Sequence, residues 1–325
     1  MNFSERLGRP RRDSIFEMDG YFVWCGTMTR DHDGLYYLFF SFWEKKLGFN
    51  AWVTNSKIGY AVSDDPLGKF EYRGIALEGA KKGWDRDCVH NPSVIRHGDK
   101  YYLYYMGNYG CGEYWDNRNH QRIGVAVADS PSGPWKRFDK PVLDVSESGF
   151  DSLVTSNPSV TVGGDGRFYM IYKAVENNGK LPKGGAVVCG IGISDSPTGP
   201  FIKRKTPIMV NPENEWSVED AFLWYEDGKF YSLAKDFQGY FTKAGKKHVA
   251  LFESLNGIDW ELSENPIGYL RNITWDDGES EELANMERPQ LYIEDGHPKV
   301  LLCACMRKKD YETLCHSFNV RIPLK

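Results

Sequence analysis

The sequence predicts an all-β protein, a five-bladed β-propeller with four-stranded antiparallel blades, filling residues 1–325 as a single domain. Three observations predict it. The segment "VHNPSVI" at 89–95 returns as "TSNPSVT" at 155–161. Each such strand passes through a Gly- or Asp-containing turn into an aromatic second strand, as in "NPSVIRHGDKYYLYY" and "DAFLWYEDGKFYSL". A third strand then ends in a turn signature, "IGYAVSDDPLGKF", "IGVAVADSPSGPW" or "IGISDSPTGPF". Alignment of the strand tips places Cys25, Asn91, Asn157, Asp220 and Arg288 at equivalent positions, separated by 66, 66, 63 and 68 residues. A near-constant period is what a radial array of blades requires, whereas two stacked sandwiches impose none.

Each unit reads strand, tight turn, strand, long loop, strand, Gly/Pro turn, strand, with no long helical periodicity. The 10 Trp, 19 Tyr and 18 Phe supply strand formers, and the 33 Gly and 16 Pro supply turns. Blade one starts at "VWCGTMTRDHDGLYYLFF", blades two and three at the Asn-Pro tips, blade four at "VEDAFLWYEDGKFY" and blade five at "ERPQLYIEDGHPKVLLC". The fifth blade lacks a full fourth strand after "LCHSFNVRIPL". The segment "SIFEMDG", ahead of blade one, is placed to complete it, and such closure leaves no long exposed sheet edge.

The formal net charge of −5 provides no clustered Lys and Arg for phosphate, so a nucleic-acid partner is not expected. The basic run is "SERLGRPRRDS", which reads as a solvated tail or as an arm reaching a second copy in a homo-oligomer. No run approaches the ~20 apolar residues that span a bilayer, so no membrane partner is expected. Of seven cysteines, Cys25, Cys189, Cys303 and Cys315 sit in apolar, strand-like runs and read as buried thiols. No spacing suggests zinc, and no cofactor motif is read. The chain as given reads as cytoplasmic; removal of a signal peptide would make it secreted or periplasmic.

The first strand of every propeller blade lines the axis, so the five tips converge on one pocket. Tips and preceding residues read Trp24-Cys25, His90-Asn91, Ser156-Asn157, Glu219-Asp220 and Glu287-Arg288. Such a set is costly to desolvate without a function or good partners. Asn91 and Asn157 also fit a purely local role as Asn-Pro turn formers, and Glu287-Arg288 also fits a structural ion pair. Second strands end at Trp43-Glu44, Asn108-Tyr109, Lys173 and Lys235-Asp236 and lead into the loops "WEKKLGFNAW", "NYGCGEYWDNRNH" and "DFQGYF". Aromatic faces interleaved with amides and carboxylates suit sugar rings; a protein-binding surface is the alternative. Asp85 and Asp151 each lie six residues before a tip Asn, which points to a shared structural bond, and Asp87 has no such twin. His90 reads as a substrate or water ligand in preference to a metal ligand, because no two companion ligands accompany it.

These blades, above all "HNPSVIRHGDKYYLYYMGN", "QRIGVAVADSPSGPW", "VEDAFLWYEDGKFY" and "ERPQLY", resemble the five-bladed glycoside hydrolases of family 43 and the related family 117 over nearly the whole chain. The resemblance to family 43 implies a base Asp at the first-blade tip, a second Asp that orients it, and a Glu acid. It also implies inversion by single displacement, with roughly 6.5 to 9.5 Å between the two carboxyl groups. Here the first-blade tip is Cys25, so that base is missing, and the "VED" and "ERP" tips resemble family 117 more closely. The expected catalytic carboxylates are Asp220 and Glu287, with Asp87 or Glu44 as a third acid. The expected substrate contacts are Trp24, Trp43, His90, Asn91, Asn157, Lys173, Glu219, Lys235 and Arg288, with no metal. The expected activity is exo-acting, inverting release of a terminal sugar from an oligosaccharide. Its rivals are a phosphorolytic or transfer enzyme using Arg288, Lys235, Lys173 and Arg122 to hold phosphate, and a carbohydrate-binding propeller without catalysis.

Overall fold

The computed structural model describes residues 1–325 and contains five antiparallel sheets arranged radially. Strand β1 (Ile15–Phe16) precedes blade one, which comprises β2 (Tyr21–Arg30), β3 (Tyr36–Glu44), β4 (Lys57–Ser63) and β5 (Glu71–Leu77). Blade two has β6 (Cys88–His97), β7 (Lys100–Asn108) and β8 (Arg122–Ala128). Blade three has β9 (Val154–Val162), β10 (Phe168–Val175), β11 (Val187–Ser194) and β12 (Ile202–Lys203). Blade four has β13 (Val218–Glu226), β14 (Lys229–Asp236), β15 (His248–Ser254) and β16 (Glu261–Tyr269). Blade five has a short β17 (Asn272–Thr274), then β18 (Ser280–Glu294), β19 (His297–Arg307) and β20 (Phe318–Pro323). Three single-turn or slightly longer helices, α1 (Trp52–Asn55), α2 (Tyr114–Asn119) and α3 (Lys308–Tyr311), sit in loops.

Period-two alternation makes each strand apolar on both sides, so every blade packs on two neighbours. In β3, Leu38 and Phe40 pack toward blade five with Val300 and Leu302, while Tyr37 and Phe39 pack toward blade two with Leu103 and Tyr105. Equivalent cores join blades two and three, three and four, and four and five.

Blade two departs from the expected four strands. Beyond β8 the chain makes only isolated bridges, Val127 with Lys136 and Ile123 with Leu143. Pro134 and Pro141 lie in this stretch, and a residue without an N–H cannot continue a ladder.

Blade five closes as expected. Ile15 and Phe16 of β1 pair with Val320 and Asn319 of β20, placing the N-terminal segment as the outermost strand. Arg321 is fully buried and fastens the junction. Its guanidinium donates to the carbonyls of Pro66 at 3.1 Å, Asp13 at 3.0 Å and Gly68 at 2.6 Å, and stacks 4.6 Å from the Phe70 ring centre. The basic arm is consumed in the same closure: Arg6 pairs with Glu226 at 2.9 Å, and Arg12 with Asp277 at 3.0 Å and Glu279 at 2.6 Å. The arm expected to reach a second copy is thus folded onto its own blades, because acidic turns of blades four and five lie within its reach.

All seven cysteines are free thiols. Cys25, Cys189 and Cys303 are buried as expected, but Cys315 is exposed in the turn before β20. Asp85 and Asp151 are the expected structural twins. Asp85 accepts from the Tyr105 hydroxyl at 2.8 Å and pairs with Arg137 at 3.0 Å. Asp151 accepts from the Tyr172 hydroxyl at 3.0 Å and pairs with Lys203 at 2.7 Å.

Deleting residues 1–18 removes the fifth blade's edge, and Arg321→Met leaves three carbonyls without their donor. Each change lowers the thermal midpoint in calorimetry, the point substitution through a loss of about 2–3 kcal/mol of unfolding free energy. An unchanged midpoint for the deletion would remove the closure role.

Candidate active site

Five equivalent backbone distortions build the floor of the site. In every innermost strand the pairing register slips at the tip: between Trp24 and Thr27, His90 and Ser93, Ser156 and Ser159, Glu219 and Phe222, and Glu287 and Gln290. The residue at each bulge is left-handed, with φ of 55° at Cys25, 54° at Asn91, 51° at Asn157, 58° at Asp220 and 55° at Arg288. Asn and Asp tolerate this region; Cys and Arg accept it only where surrounding contacts hold them.

The bulges turn the five tip side chains toward one another across the axis. Cys25 Sγ donates to Asn91 Oδ1 at 2.8 Å, Asn91 Nδ2 to Asn157 Oδ1 at 2.5 Å, and Asn157 Nδ2 to Asp220 Oδ1 at 2.7 Å. Arg288 Nη1 donates to the same Asp220 oxygen at 3.2 Å, and its guanidinium also lies beside the Cys25 thiol. The ring therefore runs once around the axis. An amide is needed at positions 91 and 157 because each must accept from one neighbour and donate to the next, which a carboxylate cannot do.

Above this ring lies a cavity of about 690 Å³, within the ~300–1,000 Å³ of small-ligand sites. Eleven of the expected site residues line it: Asp220 and Glu287 among the acids, and Trp24, Trp43, His90, Asn91, Asn157, Lys173, Glu219, Lys235 and Arg288 among the contacts. Two expected acids do not. Asp87 accepts from the Gly110 N–H at 2.7 Å and Asn117 Nδ2 at 3.2 Å, so it anchors the loop that carries α2. Glu44, at the outer end of β3, is half-exposed and pairs with Lys46. Arg122 also lies outside the cavity, paired with Asp144 at 2.6 Å.

Four charged residues above the ring form one connected group. Lys173 Nζ lies 2.9 Å from Glu219 Oε1, and Lys235 Nζ lies 3.5 Å from Glu219 Oε2 and 3.1 Å from Glu287 Oε2. Burial pushes both carboxyls up, but the balance differs. Two ammonium groups outweigh burial at Glu219 and hold it down at about 2. Burial prevails at Glu287, which faces one ammonium and the neighbouring acids, and its carboxyl is raised. Glu287 Oε1 and Asp220 Oδ2 make no hydrogen bond within the protein.

His90 is kept neutral by burial, reinforced by Arg288 and Lys173. Its Nδ1 lies 2.7 Å from Ser56 Oγ and its ring packs 5.0 Å from Trp52. Loops complete the walls. Asn108 Nδ2 holds the Val53 carbonyl at 2.7 Å and so fixes α1, which presents Trp52. Asp236 accepts from the N–H groups of Gly239, Tyr240, Phe241 and Thr242 at 2.9–3.1 Å and fixes the turn that carries Phe237. Phe237 meets Trp216 edge-on at 4.8 Å.

Sequence reasoning identified three of the wall loops but passed over the fourth, residues 177–186, because "NNGKLPKGGA" contains no aromatic residue. Lys180, Pro182, Lys183 and Gly185 of this loop line the cavity, as does Arg118 of α2. Its position straight after the second strand of blade three was the available signal.

No protein-family model matches the chain. It is 28% identical over 166 residues to a probable arabinan endo-1,5-α-L-arabinosidase B of Aspergillus fumigatus, a match covering 45% of this chain and 42% of that protein. It is 25% identical over 233 residues to a xylosidase/arabinosidase of Bacteroides ovatus, covering 66% of each. Among solved structures, a family 117 glycoside hydrolase of Zobellia galactanivorans superposes with a TM-score of 0.70 at 20% identity, covering 98% of this chain and 89% of that one. A thermostable family 43 glycoside hydrolase superposes with a TM-score of 0.65 at 17% identity, covering 94% and 89%.

Glu219 stabilises the fold through its lowered carboxyl. That contribution is complete above the ordinary value of 4.5 and is lost as pH falls toward about 2. Glu219→Gln, which takes from Lys173 its only carboxylate and from Lys235 one of two, lowers the thermal midpoint at pH 7, and the gap to wild type narrows from pH 4.5 downward. A pH-independent gap would contradict the ion-pair account.

The bulged strand tips and five radial sheets give the chain the β-propeller fold of the family 43 and family 117 glycoside hydrolases to which it is similar.

Proposed function

We propose that the protein is a glycoside hydrolase that releases a terminal sugar from an oligosaccharide, exo-acting and with inversion. One observation carries the reading: Glu287 and Asp220, each with an oxygen free of protein partners, stand on the floor of an aromatic-walled cavity whose axis is closed by the tip ring.

In this reading Glu287 is the general acid. Burial favours its protonated form, so it can give a proton to the leaving glycosidic oxygen as the bond to the anomeric carbon breaks. Asp220 is the general base. Its Oδ1 is fixed by Asn157 and Arg288, which leaves Oδ2 to take a proton from the attacking water. Glu219 is unsuited to that step, since both its oxygens are bound to ammonium groups. It acts instead by holding Lys235 against Glu287. The Trp walls offer faces for the sugar's C–H surfaces, and His90 and Asn91 offer polar contacts for its hydroxyls. The relatives named for arabinan and for xylose- and arabinose-containing substrates support a pentose-rich panel as the first to test.

Turnover of such a panel, extended to agar fragments, is expected to fall by about 10²- to 10⁴-fold in Glu287→Gln and in Asp220→Asn. Activity of both variants equal to wild type would sink the assignment. The acid must carry its proton, so kcat/KM declines as pH rises through the Glu287 value, and that limb disappears in Glu287→Gln. Proton NMR of the first-formed sugar is expected to show the anomer opposite to the substrate's; the same anomer would exclude inversion.

Phosphorolysis is the second reading. It is favoured by Arg288, whose buried Nε and Nη2 have no protein partner, beside Lys235 and Lys173. Sugar release that depends on inorganic phosphate would establish it.

A further inference from the structure

The cavity carries more positive charge than its carboxylates neutralise. Seven cationic and four acidic side chains line it, in a chain whose formal net charge is −5. The excess is localised. On the floor, Lys173, Lys235 and Arg288 are each paired with Glu219, Glu287 or Asp220. On the walls, Arg118, Lys180, Lys183 and Lys247 line the same space and form no ion pair, Lys247 Nζ being bonded to the Tyr311 hydroxyl at 3.1 Å.

Arg118 is the most constrained of these. It is 9% exposed, yet no carboxylate lies within ion-pair distance. Its Nη1 donates to Asn119 Oδ1 at 2.9 Å and to the Lys183 carbonyl at 3.0 Å. Nε and Nη2 make no hydrogen bond within the protein, and the guanidinium packs 5.6 Å from the Trp115 ring centre. The open Nε and Nη2 edge of this largely buried guanidinium reaches the solvent of the cavity, where an anionic group can pair it more strongly than water. Two open donors on one planar fork match the two oxygens of a carboxylate or a sulfate, a geometry that an ammonium cannot reproduce.

The same side chain organises its surroundings. Through the Lys183 carbonyl, and with Asn119 Nδ2 bonded to the Pro182 carbonyl at 3.0 Å, α2 clasps the loop 177–186 and brings Lys180 and Lys183 to the cavity. Guanidinium and ammonium groups thus converge on the wall between blades two and three, apart from the carboxyls on the floor. This field also raises the local concentration of an anionic ligand.

We propose that the cavity recognises a sugar bearing an anionic substituent, a uronic-acid carboxylate or a sulfate ester, with the free edge of the Arg118 guanidinium as its principal contact and Lys180 and Lys183 beside it. The proposal rests on the glycoside hydrolase reading for the nature of the ligand, but its test does not require turnover. Calorimetric titration of the intact protein compares oligosaccharides ending in glucuronate or galacturonate, their neutral glucose- and galactose-ended counterparts, and a galactose 6-sulfate-ended counterpart.

At least one acidic ligand is expected to bind 10-fold or more tightly than its neutral partner, with an advantage that shrinks as salt rises. The acid-to-neutral ratio is expected to fall toward unity in Arg118→Gln and to be reduced severalfold in Lys183→Gln, which leaves the buried guanidinium in place should the first variant not fold. Preference for the uronates assigns the carboxylate, and preference for the 6-sulfated sugar alone assigns the sulfate. Neutral ligands bound as tightly as both acidic kinds, or a ratio unchanged in both variants, would overturn the proposal. Hydrolysis of neutral substrates without acid preference would refute it while leaving the hydrolase reading intact; acid-selective binding without product would do the reverse.

Discussion

The hydrogen-bonded ring of strand tips is the constraint on which the rest of the site depends. Five blades can meet at an axis only if the groups projected into it satisfy one another, because all five tip residues are buried there. The left-handed bulges turn the tips inward, and a chain of thiol, two carboxamides, carboxylate and guanidinium passes donors in a single sense from Cys25 to Asp220. Arg288 completes the circuit from the other side. Any member that changed from donor to acceptor would leave a buried neighbour unpaired, at a cost of about 1–3 kcal/mol. The ring fixes where Asp220 stands and which of its oxygens is left open.

Charge above the ring is distributed by the same logic. Lys235 lies between Glu219 and Glu287, while Lys173 adds a second cation on the Glu219 side alone. One carboxyl is thereby held low and the other high within a single group of contacts. Such a separation keeps Glu219 ionised against its lysines while favouring a proton on Glu287. It arises from the number of ammonium groups at each carboxyl, Glu287 being buried and Glu219 only partly so.

Repeated blade architecture also explains which acids are structural. Asp85 and Asp151 occupy matching positions and bind matching partners, a second-strand tyrosine and an outer-strand cation, so blade geometry accounts for both. Asp87 looked individual in the sequence because the loop it anchors is individual. That loop carries α2 with Trp115 and Arg118, so a residue outside the cavity sets one of its walls.

The sequence by itself determined the blade count, the identity of the five tips and the closing role of "SIFEMDG", because a repeated period and strand alternation are local patterns written along the chain. It also determined eleven cavity residues, since a tip or second-strand end in a propeller has one place to go. Tertiary structure decided what depends on distances between blades: that Glu44 and Asp87 stand outside the cavity, that Glu219 is bound by two lysines from different blades, and that the basic arm binds its own acidic turns. It alone placed Arg118 and the loop 177–186 against each other, 65 residues apart in the chain. Residue type states which groups carry charge; only the packed structure states which of those charges already have a partner.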